Sequence, residues 1–378
     1  MLRVTIQQPV LPAYRVPVFQ ELAQRPNIRL KVVYGDRSNS PASVEDAPFD
    51  KEFVHMSEFK LLGRKFLWHK PQVGYATRKR SDVLIMSWDI HYTSLIPGLL
   101  RAKANGVRTV LWGHGYSKNE SALRQRLRDR VGKLADAIML YDQVTANRCI
   151  ERGFKASKVF VAPNAIDQSP IQAAREDWLS RPQDLAKFQN EHGLAPGPVI
   201  LFVSRLEPAN RVDLLVQALP ALRKRFPDLR VAIIGKGEDE INRLTTMALE
   251  KGVTDSIRFL GAVYEEANLA PWFLSSKIFC YPANIGLSIL HALGYALPVV
   301  TSDRKSAQNP EIVCLQHGKN GLTYQDDNAE DLCKVITELL ENESRHRQMS
   351  DEAHRTATRA FSLSNMVDGM QAAIEGHP

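Results

Sequence analysis

The stretch 199-VILFVSRLEPANRVDLLV-216 decides how the chain folds. Val199–Val203 is an apolar run too short for a helix and unbroken by any polar residue, the pattern of a strand covered on both faces. Ser204–Arg211 is polar and contains Pro208, so the chain turns there. From Val212 to Phe226 apolar residues recur at helical spacing. Strand, polar loop and helix together form the unit of a parallel sheet with helices on its faces.

The same alternation extends in both directions. Downstream come Arg230–Ile234, Glu238–Lys251, Ile257–Leu260, Ile278–Tyr281, Leu287–Gly294 and Pro298–Thr301. Upstream, the strand candidates are Arg3–Ile6, Leu30–Tyr34, Val83–Met86, Arg108–Trp112, Ala137–Leu140 and Val159–Ala162. The helix candidates Tyr14–Ala23, Ser94–Ala104 and Gln143–Gly153 lie among them. Between the two series, Trp178–Pro198 is polar with Pro and Gly and reads as a connector. The expected fold class is therefore α/β, with two doubly wound domains in series facing across a cleft. Residues 1–180 form the first, residues 181–355 the second, and a helical stretch within 356–378 packs back on the first. Ligands of such sheets bind beyond the carboxyl ends of the strands.

Bulk properties narrow the class. A chain of 378 residues suits two domains, and 44% hydrophobic with 24% charged residues is a globular composition. A formal charge of +7 favours anionic partners without naming one. Cys149, Cys280, Cys314 and Cys333 share no C-x-x-C spacing, which argues against a zinc cluster or disulfide framework and fits a reducing, cytoplasmic setting. The start of the chain lacks the apolar core of a signal peptide. The longest apolar tract, Ile278–Val300, contains Pro282, Asn284, His291 and Pro298, and so reads as strand, turn and helix rather than a membrane span.

Several chemistries are excluded by missing motifs. No glycine precedes Gly35, so the dinucleotide fingerprint is absent from the first strand and turn. There is no P-loop, G-x-S-x-G, H-E-x-x-H or D-x-D, and without D-x-D the usual carboxylate pair for a metal on a diphosphate is missing. What remains is Arg205 and Arg211 at a strand end beside a helix N-terminus, a place for a diphosphate. Pairing of both arginines with Glu207 and Asp213 is the plainer alternative. A second strand-loop-helix, 281-YPANIGLSILHALGYALPVV-300, offers backbone N–H groups at Gly286, Leu287 and Ser288.

Taken as a set, these segments resemble the second lobe of retaining glycosyltransferases of GT-B fold, glycosyltransferase family 4. The resemblance runs through S-R-L-E-P-x-x-R-V-D-L-L, Ile233–Gly237, Arg258–Val263, the 286–300 segment, Pro310–Val313 and His317–Leu322. In the first lobe it includes Gly113–Gly115 and Val161–Asp167, and it covers roughly residues 80 to 350. GT-B implies two Rossmann-like domains. The resemblance implies that Arg205 contacts the donor diphosphate. The family's partner lysine falls where Asn210 stands, so Arg211 is taken as the substitute charge. It further implies that Asn284, Gly286, Leu287 and Ser288 hold sugar or phosphate, and that Ala262, Val263 and Tyr264 cradle the base. By the same match His114 touches the transferred sugar, with a core histidine satisfied by backbone as the alternative.

Two departures stand out. The family's glutamates eight positions apart fall on Ala283 and His291, so the ribose contact passes to a histidine. In place of the glycine-rich first-lobe loop stands Gln8–Arg15, where Tyr14 and Arg15 are expected to face the acceptor. The implied activity is transfer of a hexose from a nucleotide-sugar, with retention and without a metal or cofactor, to a saccharide or polyprenol-linked acceptor. That chemistry suits cell-surface polysaccharide synthesis. A nucleotide-sugar epimerase of the same fold and a non-catalytic nucleotide-sugar-binding protein are the competing readings. Finally, Phe59–Arg80 mixes Phe59, Phe66 and Trp68 with seven Lys/Arg, and Arg124, Arg126, Arg128, Arg130 and Lys133 form a second basic run. Both suggest a surface resting on anionic lipid, peripheral at the inner face of the cell membrane. Nucleic-acid signatures are missing.

Overall fold

A computed structural model describes residues 1–37, 43–44, 46–61, 63–117 and 121–377. The chain divides into two compact units: Met1–Ile166 together with Leu363 onward, and Asp167–Ser362. In the first, β1 (Leu2–Gln8), β2 (Ile28–Tyr34) and β3 (Asp50–Phe53) precede a separate antiparallel hairpin, β4 (Ser57–Leu61) and β5 (Arg64–Trp68). β6 (Val83–Ser87), β7 (Arg108–Trp112), β8 (Ala137–Leu140) and β9 (Val159–Val161) complete a parallel sheet in the order β3-β2-β1-β6-β7-β8-β9.

Its strands β6 and β8 are almost wholly apolar because both faces are covered. Val83 and Ile85 of β6 join one core with Phe19, Leu22 and the closing helix Leu363–Glu375. Leu84 and Met86, one residue out of phase, join the other with Leu95, Leu99 and Val131. The closing helix contributes Met366, Val367, Met370, Ala373 and Ile374 to the first core. Gly369 lets it lie close to β9, since a Cβ there would sit 2.1 Å from the Val161 carbonyl oxygen. The preceding residues, through the helix Glu343–Arg355, belong to the second unit.

The second unit holds β10 (Val199–Val203), β11 (Arg230–Ile234), β12 (Ile257–Phe259), β13 (Ile278–Cys280), β14 (Val299–Ser302) and β15 (Gly321–Tyr324). They form a parallel sheet in the order β12-β11-β10-β13-β14-β15. The helix Ser169–Leu179, placed before the connector by the sequence, is part of this unit. There Trp178 donates its indole N–H to the Ala267 carbonyl at 2.9 Å and packs against Phe188. Cys149, Cys280, Cys314 and Cys333 are free thiols, the first three buried.

Each sheet reverses its winding once, between β1 and β6 in the first unit and between β10 and β13 in the second. At such a switch point the loops leaving the two strands part in opposite directions and open a crevice. The loops in question are those after β1, β6, β10 and β13, and both candidate sites lie on them.

Candidate active site

In the second unit, Arg205 follows the end of β10 after Ser204. Its side chain is 76% exposed, with Nη1 3.2 Å from a Glu207 carboxylate oxygen that is half exposed as well. A pair this open to water is weak, so the guanidinium is available to a ligand phosphate. Arg205 lines two adjoining pockets. One, of about 610 Å³, is walled by Gly235, Lys236 and Gly237 after β11 and by Ala262, Val263 and Tyr264 after β12. The other, of about 350 Å³ at the switch point, is walled by Asn284, Gly286, Leu287, Ser288 and Asn309. Gly235 permits the first arrangement: a Cβ there would lie 1.7 Å from the Ser204 carbonyl oxygen, so any side chain would force the β10 and β11 loops apart.

Arg211 does not reach either pocket. It caps the 208–210 turn in the left-handed conformation, φ 55°, where Gly is the ordinary occupant. Its Nε and Nη2 donate to the Asp213 carboxylate at 3.1 and 3.2 Å, and Nη2 also donates to Asp327 at 2.6 Å. The hydrogen bonds it donates to Asp213, then to Asp327, raise its already high pKa. Two carboxylates thus occupy the charge, and the diphosphate role given to Arg211 from spacing is corrected: it clamps the loop. The second cation of the site is Lys236, whose Nζ lies 5.7 Å from the Tyr264 ring centre. The sequence signal for it was the lysine in Ile233–Gly237, quoted above as a landmark and left without a role.

Asn210, in the position of the family lysine, is buried and structural. It accepts from the Glu207 N–H at 2.8 Å and donates to the Tyr281 hydroxyl at 2.8 Å, which in turn donates to Ser204. The loop after β13 is fixed from behind. Gln308 accepts the Ile285 N–H at 2.8 Å, and Asn309 donates to the Asn284 carbonyl at 3.0 Å while Asn284 sits at φ 62°. Gly286, Leu287 and Ser288 are therefore held in place on the pocket wall rather than ordered by a ligand.

His291 lines neither pocket. Its ring stacks on Phe273 at 4.8 Å, and Nε2 is 2.9 Å from a Glu266 carboxylate oxygen that also accepts the Tyr295 hydroxyl. Burial works to raise the Glu266 carboxyl, but the His291 hydrogen bond and charge, with Tyr295, hold it below the usual range. A carboxylate is thus present beside His291, supplied from position 266 rather than 291. Ala283 is buried, its N–H on the Asn210 carbonyl at 3.0 Å.

In the first unit, Tyr14, Arg15 and His114 come together on a cavity of about 370 Å³ at the switch point. His114 is exposed, with its ring 4.8 Å from that of Tyr141, so it is not a core histidine satisfied by backbone. Asp89 is held by the His91 N–H and Nδ1 and by Arg37. Burial opposes its charge, but these donors win and keep it ionised far below the usual range.

Residues 197–342 match the family model for glycosyl transferases group 1. The chain is 26% identical to a GDP-mannose-dependent alpha-(1-6)-phosphatidylinositol monomannoside mannosyltransferase of Mycolicibacterium smegmatis over 73% of this chain and 74% of that one. The group 1 glycosyltransferase match thus falls on the second unit, and the chain as a whole has the fold of GT-B glycosyltransferases. It is also 25% identical to a D-inositol 3-phosphate glycosyltransferase of Nocardia farcinica, over 95% of this chain and 77% of that one. Among solved structures, the Anabaena protein HepE in complex with UDP matches this chain with a TM-score of 0.74 over 99% of this chain and all of that one, at 17% identity.

Proposed function

We propose that this chain takes a hexose from a nucleoside diphosphate sugar, with retention at the anomeric carbon, and delivers it to a saccharide or lipid-linked acceptor. The observation that carries the donor half is the pair of adjoining pockets sharing Arg205 at the carboxyl ends of β10, β11 and β13. The base fits the Ala262–Tyr264 turn, with the Tyr264 ring 80% exposed for stacking. The diphosphate lies between Arg205 and Lys236, and the sugar between Asn284 and the Gly286–Ser288 amides. Fixed positive groups that stabilise the leaving diphosphate are the largest contribution such a site makes. Two side-chain cations at that position support transfer without a divalent ion. The departing phosphate then takes the proton of the attacking hydroxyl. His114 contacts the transferred sugar, and Tyr14 and Arg15 the acceptor; their shared cavity supports this. A thermal-shift screen with UDP-, GDP-, dTDP- and CMP-sugars tests the donor half, because ligand at a hundred times its Kd adds about 2.7 kcal/mol. The anomeric configuration of the product, read by NMR, tests retention. An isomerised free donor as sole product would favour the epimerase.

A lipid surface is the proposed setting, at the cytoplasmic face of the membrane. No described helix is long and apolar enough to cross a membrane. On the helix Ala122–Gly132, however, Leu123 (77% exposed) and Leu127 (50%) lie one turn apart beside exposed Arg126 and Arg130, with Lys133 and Leu134 continuing the stripe. Its acidic residue, Asp129, is buried instead. On the hairpin, Phe59 and Phe66 stack at 5.9 Å. Leu62, in the basic-aromatic stretch, lies outside the described residues. Basic and apolar groups on one helix face support docking on anionic lipid.

A further inference from the structure

The first-unit cavity contains a charge that sugar binding alone does not need. Arg15 is only 5% exposed. Its guanidinium carbon lies 4.8 Å from the Trp112 ring centre, 5.2 Å from that of Tyr14 and 5.6 Å from that of Tyr141. Its hydrogen-bonding contacts are the Met366 sulfur at 3.6 Å and the Tyr141 hydroxyl at 3.4 Å, both long and both neutral. Among the described residues no carboxylate pairs with it. A buried guanidinium normally has a counter-charge, because taking an ion out of water is costly unless it is paired. The carboxylate that lines the same cavity, Asp89, is already engaged by Arg37 and by two donors of His91.

A second donor in the cavity wall lacks a partner as well. Trp112 is 4% exposed, and its Nε1–H is buried without an acceptor. The aromatic rings of Trp88, Trp112, Tyr116 and Tyr141 make up much of the remaining wall. Flat rings suit the C–H faces of a pyranose. A buried cation and an unpaired indole N–H call for an oxyanion.

We propose that the acceptor is a sugar ring carrying an anionic group, a carboxylate or a phosphate, which Arg15 binds with help from the Trp112 N–H. This rests on the glycosyltransferase reading above and gives its acceptor a chemical class. The ligand supplies the counter-charge that the protein withholds, so an uncharged sugar leaves both donors unsatisfied and binds more weakly.

The test uses three probes on the whole chain, glucose, glucuronate and glucose 6-phosphate, in ligand-observed NMR titrations with excess UDP and GDP filling the diphosphate site. At least one anionic probe is expected to bind ten or more times more tightly than glucose. Which of the two does so identifies carboxylate or phosphate. Arg15→Met should abolish the preference, and Arg15→Lys should keep part of it. Equal binding of all three by the wild type overturns the proposal even if neither variant folds, as does an undiminished preference in a folded Arg15→Met. Binding of UDP, GDP, dTDP and CMP to the wild type is read separately. Absence of all four sinks the transferase reading itself, whereas binding of any one without the anionic preference sinks only this inference.

Discussion

His69 makes the stability of the first unit depend on pH, with a size that the structure sets. The residue has no solvent exposure. Its Nε2 is 3.1 Å from the Val54 carbonyl, which can only accept, so Nε2 carries the hydrogen. Nδ1 is then the acceptor for the Gln7 amide at 3.0 Å. Gln7 accepts in turn from Gln72 at 2.9 Å and from the Ser87 N–H at 3.1 Å, and Gln72 accepts from Ser94 at 2.6 Å. Every member of this chain is matched only while the imidazole is neutral. Protonation would point a second N–H at the Gln7 amide donor.

Burial accordingly pushes the His69 pKa down to about 4, against a backbone hydrogen bond and the Asp36 charge that act the other way. A folded pKa below the unfolded value of about 6.5 means that the contribution is complete above 6.5 and is lost as pH falls towards 4. Between pH 7 and pH 5 the loss is about 2 kcal/mol, with a limit near 3 kcal/mol at lower pH. For a unit of this size that is roughly 4–8 °C in Tm. The assay compares wild type with His69→Gln at both pH values, so the other titrating groups cancel. At pH 7 the variant should be the less stable, because Gln7 loses its acceptor. By pH 5 most of the gap should close. A gap that stays constant from pH 7 to pH 5 would refute the argument that a neutral imidazole is required.

The remaining expectations concern the site. Arg205→Ala should lower kcat/KM by roughly 10²–10³, the scale of one preorganised charge-stabilising donor, and Lys236→Ala by less. Arg211→Gly, which suits the left-handed backbone, should stay within about threefold of wild type in activity; a fall matching Arg205→Ala would restore Arg211 to the diphosphate. His291→Ala should leave the donor KM unchanged in a folded variant, because the ring packs on Phe273 and lines neither pocket; a rise of about fivefold, the net scale of one lost hydrogen bond, would return the ribose contact to His291. Activity should survive EDTA, and a complete loss that Mg²⁺ restores would oppose the cation assignment. Leu127→Ser with Arg126→Ser and Arg130→Ser should release the protein from anionic vesicles, at about 1 kcal/mol per basic residue; equal binding to neutral vesicles would remove the electrostatic reading.

What could be read from the sequence follows from how local each signal is. The buried central strands were legible because covering both faces leaves an apolar run that nothing else of that length produces, as in Val199–Val203 and Val83–Met86. The edge strand β3, Asp-Lys-Glu-Phe, carries no such run and is defined by its pairing with β2. The hairpin looked like a basic surface stretch for the same reason. At the site, Arg205 and the Gly286–Ser288 loop could be placed because each sits at a strand end, where the chain itself positions it. Arg211 could not, since its fate depends on Asp327, more than a hundred residues away, closing on it across the unit. The same limit explains the carboxylate beside His291. A motif counted along the chain sees a glutamate lost at 291, while the fold returns one from 266 on a neighbouring helix. A carboxylate needs only to arrive within hydrogen-bonding distance, and a helix from elsewhere in the fold can supply it as well as the same helix can. The carboxylate that meets His291 is set by the packing of two helices rather than by a position in the sequence, and since neither residue lines the pockets, it is Arg205, Lys236 and the Gly286–Ser288 loop that remain to hold a donor despite the loss of both family glutamates.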